Sequence, residues 1–252
     1  MLSKKIVKYI QSLSHKKLRD EENVFIAEGP KVVAEFLSGE NLKCKILCAF
    51  NDWLNGNENL LKKILPGSIY EIDEISLQKI SLLKTPNKVV AVFEKGAYGK
   101  IPQLENKLSL MMDDIQDPGN LGTIIRIADW FGIENIICSE NCVDCYNPKV
   151  VQATMGSLVR VNVWYTTLIP FIEMHTNISV YAAALSGTSL PEFKKITEGI
   201  VLIGNESIGI NEELLKKATQ KITIPKYGNA ESLNAAVATG VILSHIKAGR
   251  SI

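Results

Sequence analysis

Asp113-Asp-Ile-Gln-Asp-Pro-Gly-Asn120-Leu-Gly-Thr-Ile-Ile-Arg126-Ile-Ala-Asp129-Trp-Phe-Gly132 decides the architecture of the chain. The apolar run Leu108–Ile115 reads as a buried strand, Gln116–Asn120 as a turn, and the remainder as a helix through Phe131 closed by Gly132. At about 100° per residue, Leu121, Ile124, Ile125, Ala128 and Phe131 form one apolar stripe. Asn120 stands where it can cap this helix. Arg126 falls roughly opposite the stripe, one and a half turns further on. Such an arginine is either a plain solvated side chain or a group serving chemistry at a strand-end loop, and spacing leaves both open.

Outward from this stretch, strand-like runs recur at Asn135–Cys138, Val159–Trp164, Ser179–Ala184, Ile200–Ile203 and Lys221–Ile224. Helical patterns at 147–156, 167–175, 211–219 and 232–248 separate most of them. Strands alternating with helices predict an α/β fold with a parallel sheet covered on both faces, and ligands at the carboxyl ends of its strands. Upstream, glycines and a proline in Glu94-Lys-Gly-Ala-Tyr-Gly-Lys-Ile-Pro102 follow the apolar strand Val89–Phe93 and mark a boundary. Before it, helices are expected near 2–13, 30–38, 57–64 and 76–82, and strands at 23–27 and 44–50. The expected organisation is a small α/β domain over 1–95, a linker over 96–106 and a larger domain over 107–252.

Composition excludes several classes. With 46% hydrophobic and 22% charged residues in 252, the chain is neither disordered nor fibrous. The apolar run Ala235–Val241 is far short of the roughly 20 residues of a spanning helix, and the N-terminus lacks the uninterrupted apolar run of a secretory signal. No G-x-G occurs, and Gly204–Gly209 has the glycine spacing of a P-loop with Ile210 in the place of its lysine, so ordinary dinucleotide and P-loop sites are excluded. Five cysteines suggest a reduced, cytoplasmic setting, and Cys142-Val-Asp-Cys145 lacks the further ligands of a zinc site, so no metal is expected. Net charge is only +1, but residues 1–19 hold six cations and no acid. Lys16, Lys17 and Arg19 are therefore candidate phosphate ligands, or else one solvated helix face.

Two further constellations follow strands. In Ile200-Val-Leu-Ile-Gly204-Asn205-Glu206-Ser-Ile-Gly209-Ile-Asn211, a buried strand ends in a glycine that lets backbone approach a ligand, then an amide and a carboxylate. Glu206 is a surface turn residue or a functional group. Asn211 with Glu212 and Glu213 opens the next helix. In Ile224-Pro-Lys-Tyr-Gly-Asn-Ala-Glu-Ser232-Leu233-Asn234, Ser232 is a natural helix cap, and Leu233, Ala236, Val237, Gly240 and Val241 form a stripe expected to be buried, inside the domain or across a dimer. Capping does not explain Asn234.

D-P-x-N-x-G-x-x-x-R-x-A-x-x-F-G, I-G-N-E-x-x-G and I-P-x-x-G-x-x-x-S-L-N, in this order, resemble the SpoU (TrmH-like) RNA ribose 2′-O-methyltransferases of the SPOUT superfamily. Asn147-Pro148-Lys149 and Ala153-Thr-Met-Gly-Ser157 look like further family segments. The resemblance covers about 107–248. Phe25-x-x-Glu28-Gly29 and Val32-Val33-x-Glu35 are similar to the family's L30e-like substrate-binding domain. It implies a trefoil-knotted parallel-sheet domain, S-adenosylmethionine as cofactor, ribosomal or transfer RNA as substrate, a homodimer, and neither membrane nor metal. It also implies Asn120, Arg126, Glu206, Ser232 and Asn234 as catalytic residues, and Ala184, Leu185, Ser186, Gly187, Gly204, Asn205, Ile224 and Leu233 around the cofactor. An arginine stays charged at neutral pH, so Arg126 is expected to grip a phosphate rather than act as the base that has been proposed in the family. A non-catalytic RNA-binding protein and a base methylase are the rival readings.

Overall fold

The computed structural model describes residues 2–39, 42–96, 103–193 and 196–248. The leading elements are α1 (Lys4–Ser12), α2 (Lys16–Glu21), β1 (Val24–Glu28), α3 (Pro30–Ser38), β2 (Cys44–Ala49), α4 (Asn51–Gly56), α5 (Glu58–Leu61), β3 (Ile69–Glu71), α6 (Glu74–Ile80) and β4 (Val89–Glu94). There follow β5 (Leu108–Met112), α7 (Pro118–Trp130), β6 (Asn135–Cys138), α8 (Pro148–Thr154), β7 (Asn162–Tyr165) and α9 (Leu168–Met174). The chain ends with β8 (Val180–Ser189), β9 (Gly199–Ile203), α10 (Glu212–Lys217), β10 (Gln220–Thr223) and α11 (Ala235–Lys247). These elements form two compact units, residues 1–97 with 144–159, and residues 98–143 with 160–252. Within the boundary expected over Glu94–Pro102, residues 97–102 lie outside the described residues.

The leading unit holds a four-stranded sheet in the order β1-β4-β2-β3, antiparallel except between β2 and β3. Every residue of β1 is buried because both faces of the strand are covered. Val24 and Ile26 join Ile10, Leu77 and Ile80 of α1 and α6 on one side. On the other, Phe25 lies 5.1 Å from Phe36, 5.6 Å from Phe93 and 4.8 Å from Tyr146, ring centre to ring centre. Tyr146 belongs to the segment 144–159, which the sequence expectation kept with 107–252. That segment is apolar at Cys145, Tyr146, Val150, Val151 and Leu158, all buried, and α8 covers β1. Burying each large side chain contributes about 1.5–3 kcal/mol, which makes the segment an integral part of this unit.

The second unit holds a six-stranded, wholly parallel sheet in the order β10-β8-β9-β5-β6-β7. From β5 the chain steps outward to β6 and β7, then crosses back to the other side of β5. Such a reversal opens a crevice at the carboxyl ends of the strands. One face of the sheet packs Met111, Ile137, Val180 and Leu202 against Leu168, Phe171 and Leu214 of α9 and α10. α7 packs against α11. The apolar stripe of α7 is buried as expected at Leu121, Ile124, Ile125 and Ala128.

The stripe on α11 is only partly buried within this chain, which corrects the alternative that placed all of it inside the domain. Leu233, Val237 and Val241 are 47, 53 and 40% exposed, whereas Ala235, Ala236, Thr239, Ile242, Leu243 and Ile246 are buried. α11 is apolar nearly all round, so periodicity alone does not select its inner face. No helix among the described residues is long and apolar enough to cross a membrane.

Candidate active site

Three strand ends converge on one cluster in the second unit. β5 runs into Asp113 and Asp114, β9 into Gly204–Asn211, and β10 into the stretch that leads to α11. The strand-to-helix turn after β5 is set by Asp117, not Asn120. Asp117 is the cap of α7, accepting from Asn120 N at 2.8 Å with Pro118 in the first turn. This corrects the expected cap, and it leaves the Asn120 side chain free for the site. The cap of α11 is likewise Asn234, whose Oδ1 accepts from Ala236 N at 2.9 Å and Val237 N at 3.3 Å, rather than Ser232 two residues earlier. Ser232 is exposed and makes no hydrogen bond with a described residue.

Because Oδ1 of Asn234 is engaged by its own helix, its Nδ2 faces outward and donates to Asn120 Oδ1 at 2.8 Å. Asn120 in turn donates through Nδ2 to Oε1 of Glu206. The structure thus joins three of the five expected catalytic residues in one directed chain, Asn234 to Asn120 to Glu206. Arg126 is not in it. It is exposed on another face of α7 and makes no hydrogen bond or ion pair with a described residue.

The loop that presents Glu206 is braced from within. Asn205 Nδ2 donates to the Asp114 carbonyl at 2.8 Å, and its Oδ1 accepts from Ser207 N and Ile208 N at 2.8 and 3.2 Å. Asn205 and Gly209 exchange both backbone hydrogen bonds. Gly204 is required by this loop: a Cβ there would stand 2.4 Å from Gly209 C and Ile210 N. The glycine expected to admit a ligand therefore admits its own loop, and Asn205, expected to contact a cofactor, has both ends of its amide committed to the protein. Asp113, absent from the expected set, accepts from Asn211 N at 2.8 Å. Burial pushes the Asp113 carboxyl above the usual range, and the neighbouring Asp114 charge adds to this. A carboxylate at the end of a buried apolar run was the available signal.

The expected cofactor residues of β8 lie at a break in the sheet. Strands β8 and β10 pair at Ala182 with Lys221 and again at Thr188 with Ile222, which leaves 183–187 without register partners. Leu185, Ser186 and Gly187 are exposed there, while the Ala184 carbonyl accepts from Thr223 Oγ1 at 3.0 Å. A Cβ at Gly187 would stand 2.6 Å from the Lys221 carbonyl oxygen, so the arch passes β10 at backbone contact. Ile224 follows at the end of β10 and Leu233 precedes the α11 cap. Together these present backbone groups and a little apolar surface, a donor set suited to an adenosyl group and not to a metal.

In the same unit Cys142 accepts from Ile115 N at 3.3 Å, and a hydrogen bond from Cys138 is the main cause that draws its thiol down to about 7. Cys145 belongs to the leading unit, and all five cysteines are buried and form no disulfide.

Among the expected RNA ligands of the leading unit, Lys16 and Lys17 are exposed, Lys17 facing Glu21 at 3.8 Å. Arg19 is a correction. Its side chain is 2% exposed, and it donates to the carbonyls of Leu13 and Ser14 at 3.0 and 2.9 Å and to Asp144 Oδ2 at 2.6 Å. It is a buried ion pair and no phosphate ligand.

A model of the SpoU rRNA Methylase family matches residues 107–244, more than half of the chain and the whole Asn234–Asn120–Glu206 cluster. The chain belongs to the SpoU rRNA methylase family. A model of the MRM3-like substrate binding domain matches residues 4–91 of the leading unit. The 23S rRNA (guanosine(2553)-2′-O)-methyltransferase RlmP of Bacillus subtilis is 30% identical over 251 residues, which cover 96% of this chain and 95% of that protein. A putative RNA methyltransferase of the TrmH family from Porphyromonas gingivalis superposes with a TM-score of 0.86 at 35% identity, covering 98% of both chains. An AdoMet-bound rRNA methyltransferase from Sinorhizobium meliloti gives 0.86 at 33% identity, covering 98% of this chain and 95% of that one. The SpoU match spans segment 144–159, although that segment packs within the leading unit.

Proposed function

We propose that this SpoU protein transfers the methyl group of S-adenosylmethionine to a ribose 2′-hydroxyl of structured RNA, with ribosomal RNA as the substrate class. The observation that carries this reading is the directed chain Asn234–Asn120–Glu206 at the carboxyl ends of a parallel sheet. When bound, the cofactor supplies a methyl group already activated by a sulfonium. The arch over Ala184–Gly187, with Ile224 and Leu233, would hold it, and the protein's remaining work is to place one hydroxyl and manage one proton. Asn120, Ser232 and Asn234 hold the ribose, and Glu206 fixes the orientation of the Asn120 amide. Arg126 grips the adjacent phosphate and favours negative charge on the ribose oxygen.

The reading includes a trefoil knot formed by the C-terminal segment, an RNA-holding role for residues 1–95 through Lys16 and Lys17, and catalysis by 107–252. It also includes a homodimer. The exposed Val237 and Val241 of α11 line a groove of about 820 Å³ with Thr123, Ile127 and Gly240. A second copy seated there covers this apolar surface. Five cysteines without a disulfide agree with a cytoplasmic setting.

The test is incorporation of labelled methyl groups into total RNA from cells lacking the gene. Label in nuclease-resistant dinucleotides of ribosomal RNA is expected. Label in transfer RNA alone moves the substrate class, label in a base changes the reaction, and no label in any fraction overturns the enzyme reading.

A further inference from the structure

We infer that Asp113, acting with Asn205, is a positioning residue for Glu206: the two side chains bolt the loop 204–211 to the end of β5 and thereby fix the carboxylate that Asn120 engages. This deepens the proposed methyl transfer and rests on it.

Asp113 and Asp114 hold opposite ends of the loop. Asp113 continues the ladder between β5 and β9 through its amide, which donates to the Ile203 carbonyl at 2.9 Å. Its Oδ2 then accepts from Asn211 N, where the loop leaves for α10. The Asp114 carbonyl takes the Asn205 amide, where the loop begins. Between these anchors, Asn205 closes the turn on itself through Ser207 N, Ile208 N and the paired Gly209 backbone. Glu206 is the residue immediately after one anchor, and its own hydrogen bond runs to Asn120. Neither anchor touches Asn120, so each acts only through the place it gives Glu206.

The choice of an aspartate is informative. Asp113 is 8% exposed and sits beside a second carboxylate, an arrangement that disfavours its charge. A neutral acceptor would hold Asn211 N with less desolvation. A charged acceptor makes the stronger hydrogen bond, and that strength is applied where the catalytic loop meets α10.

Two variants separate the anchors from a general loss of fold. Asp113→Ala and Asn205→Asp are each expected to lower kcat by about tenfold to a hundredfold, with the KM for RNA and the Kd for cofactor within twofold of wild type. Asp113→Asn, which keeps an acceptor, is expected to restore most of the rate. In a Glu206→Ala background, which removes the acceptor for Asn120, Asp113→Ala should remove no further rate. The Asn120 side-chain amide resonance reads the contact without turnover: it should stand apart in wild type and Asp113→Asn, and in Asp113→Ala coincide with its position in Glu206→Ala. An additive loss in the double variant, or an Asn120 resonance that Asp113→Ala and Asn205→Asp leave unmoved, overturns the assignment. If the wild type methylates no RNA while the resonance behaves as stated, the positioning role stands and the methyl-transfer reading falls.

Discussion

Asn234 donates its side-chain amide to Asn120 across 2.8 Å, tying the cap of the last helix to the first turn of α7. Neither amide is free to turn over. The Asn234 oxygen is held by Ala236 N and Val237 N, so its nitrogen must point at Asn120, and the Asn120 nitrogen must then point at Glu206.

Asn120→Asp sets a carboxylate against that of Glu206 and is expected to lower kcat by about a hundredfold, more than Asn120→Ala. Adding Glu206→Gln should recover part of the rate by restoring a donor–acceptor pair. Steady-state kinetics on the single and double variants checks both.

Arg126→Ala is expected to abolish turnover and leave cofactor affinity almost intact, since the arginine meets RNA in the proposed mechanism. Calorimetric titration with cofactor decides this. A Kd shifted by more than about tenfold, equivalent to roughly 1.4 kcal/mol, would place Arg126 in a different role.

Arg19 and Lys16 or Lys17 should separate fold from binding. Arg19→Ala leaves Asp144 without its buried partner and is expected to destabilise the protein by about 3–5 kcal/mol in urea unfolding. Lys16→Ala and Lys17→Ala should leave stability within about 0.5 kcal/mol. Each should weaken RNA binding and reduce the slope of affinity against salt by roughly one.

Glu28 gives a pH dependence. It is buried, and burial pushes its carboxyl up despite hydrogen bonds from Ser81 and Leu82. The folded protein thus retains this proton where the unfolded chain has released it. Stability then falls as pH rises from the ordinary carboxylate range through the raised folded value, and is level above it. Glu28→Gln removes that component. Its stability relative to wild type should rise with pH across this window, measured as urea midpoints between about pH 4 and 8.

Gly240→Leu tests assembly. A Cβ at Gly240 already stands 3.6 Å from Ile127 Cδ1, so a leucine must project into the groove beside Val237 and Val241. Weaker dimerisation together with weaker activity is expected in sedimentation and assay. An active wild-type monomer at micromolar concentration would end the dimer proposal.

The sequence made the catalytic sheet readable because its signals are local and strong. α7 has one clean stripe, β6 appears at Asn135–Cys138 as read, and Asn211 caps α10 as expected. The errors lie where the deciding partner is remote or the local rule offers two answers. Asp117 and Asn120, or Ser232 and Asn234, are all acceptable caps, and geometry selects one of each pair. Arg19 belongs to a cationic run that looks solvated, and its partner Asp144 is 125 residues away. Asp113 gives no motif. Its role follows from Asn211 being delivered to it by a different strand.

The chain passes between its two compact units three times, because 144–159 returns to the first. Synthesis on the ribosome therefore cannot finish the leading unit when β4 emerges. At about 5–20 residues per second, Phe25 and Arg19 wait seconds for Tyr146 and Asp144, with an aromatic layer uncovered and a guanidinium unpaired. Nascent chains arrested before Asp144 should consequently be the protease-sensitive ones. By the same logic neither unit is an exchangeable cassette: a graft that transplants residues 1–95 leaves behind the strip that completes them.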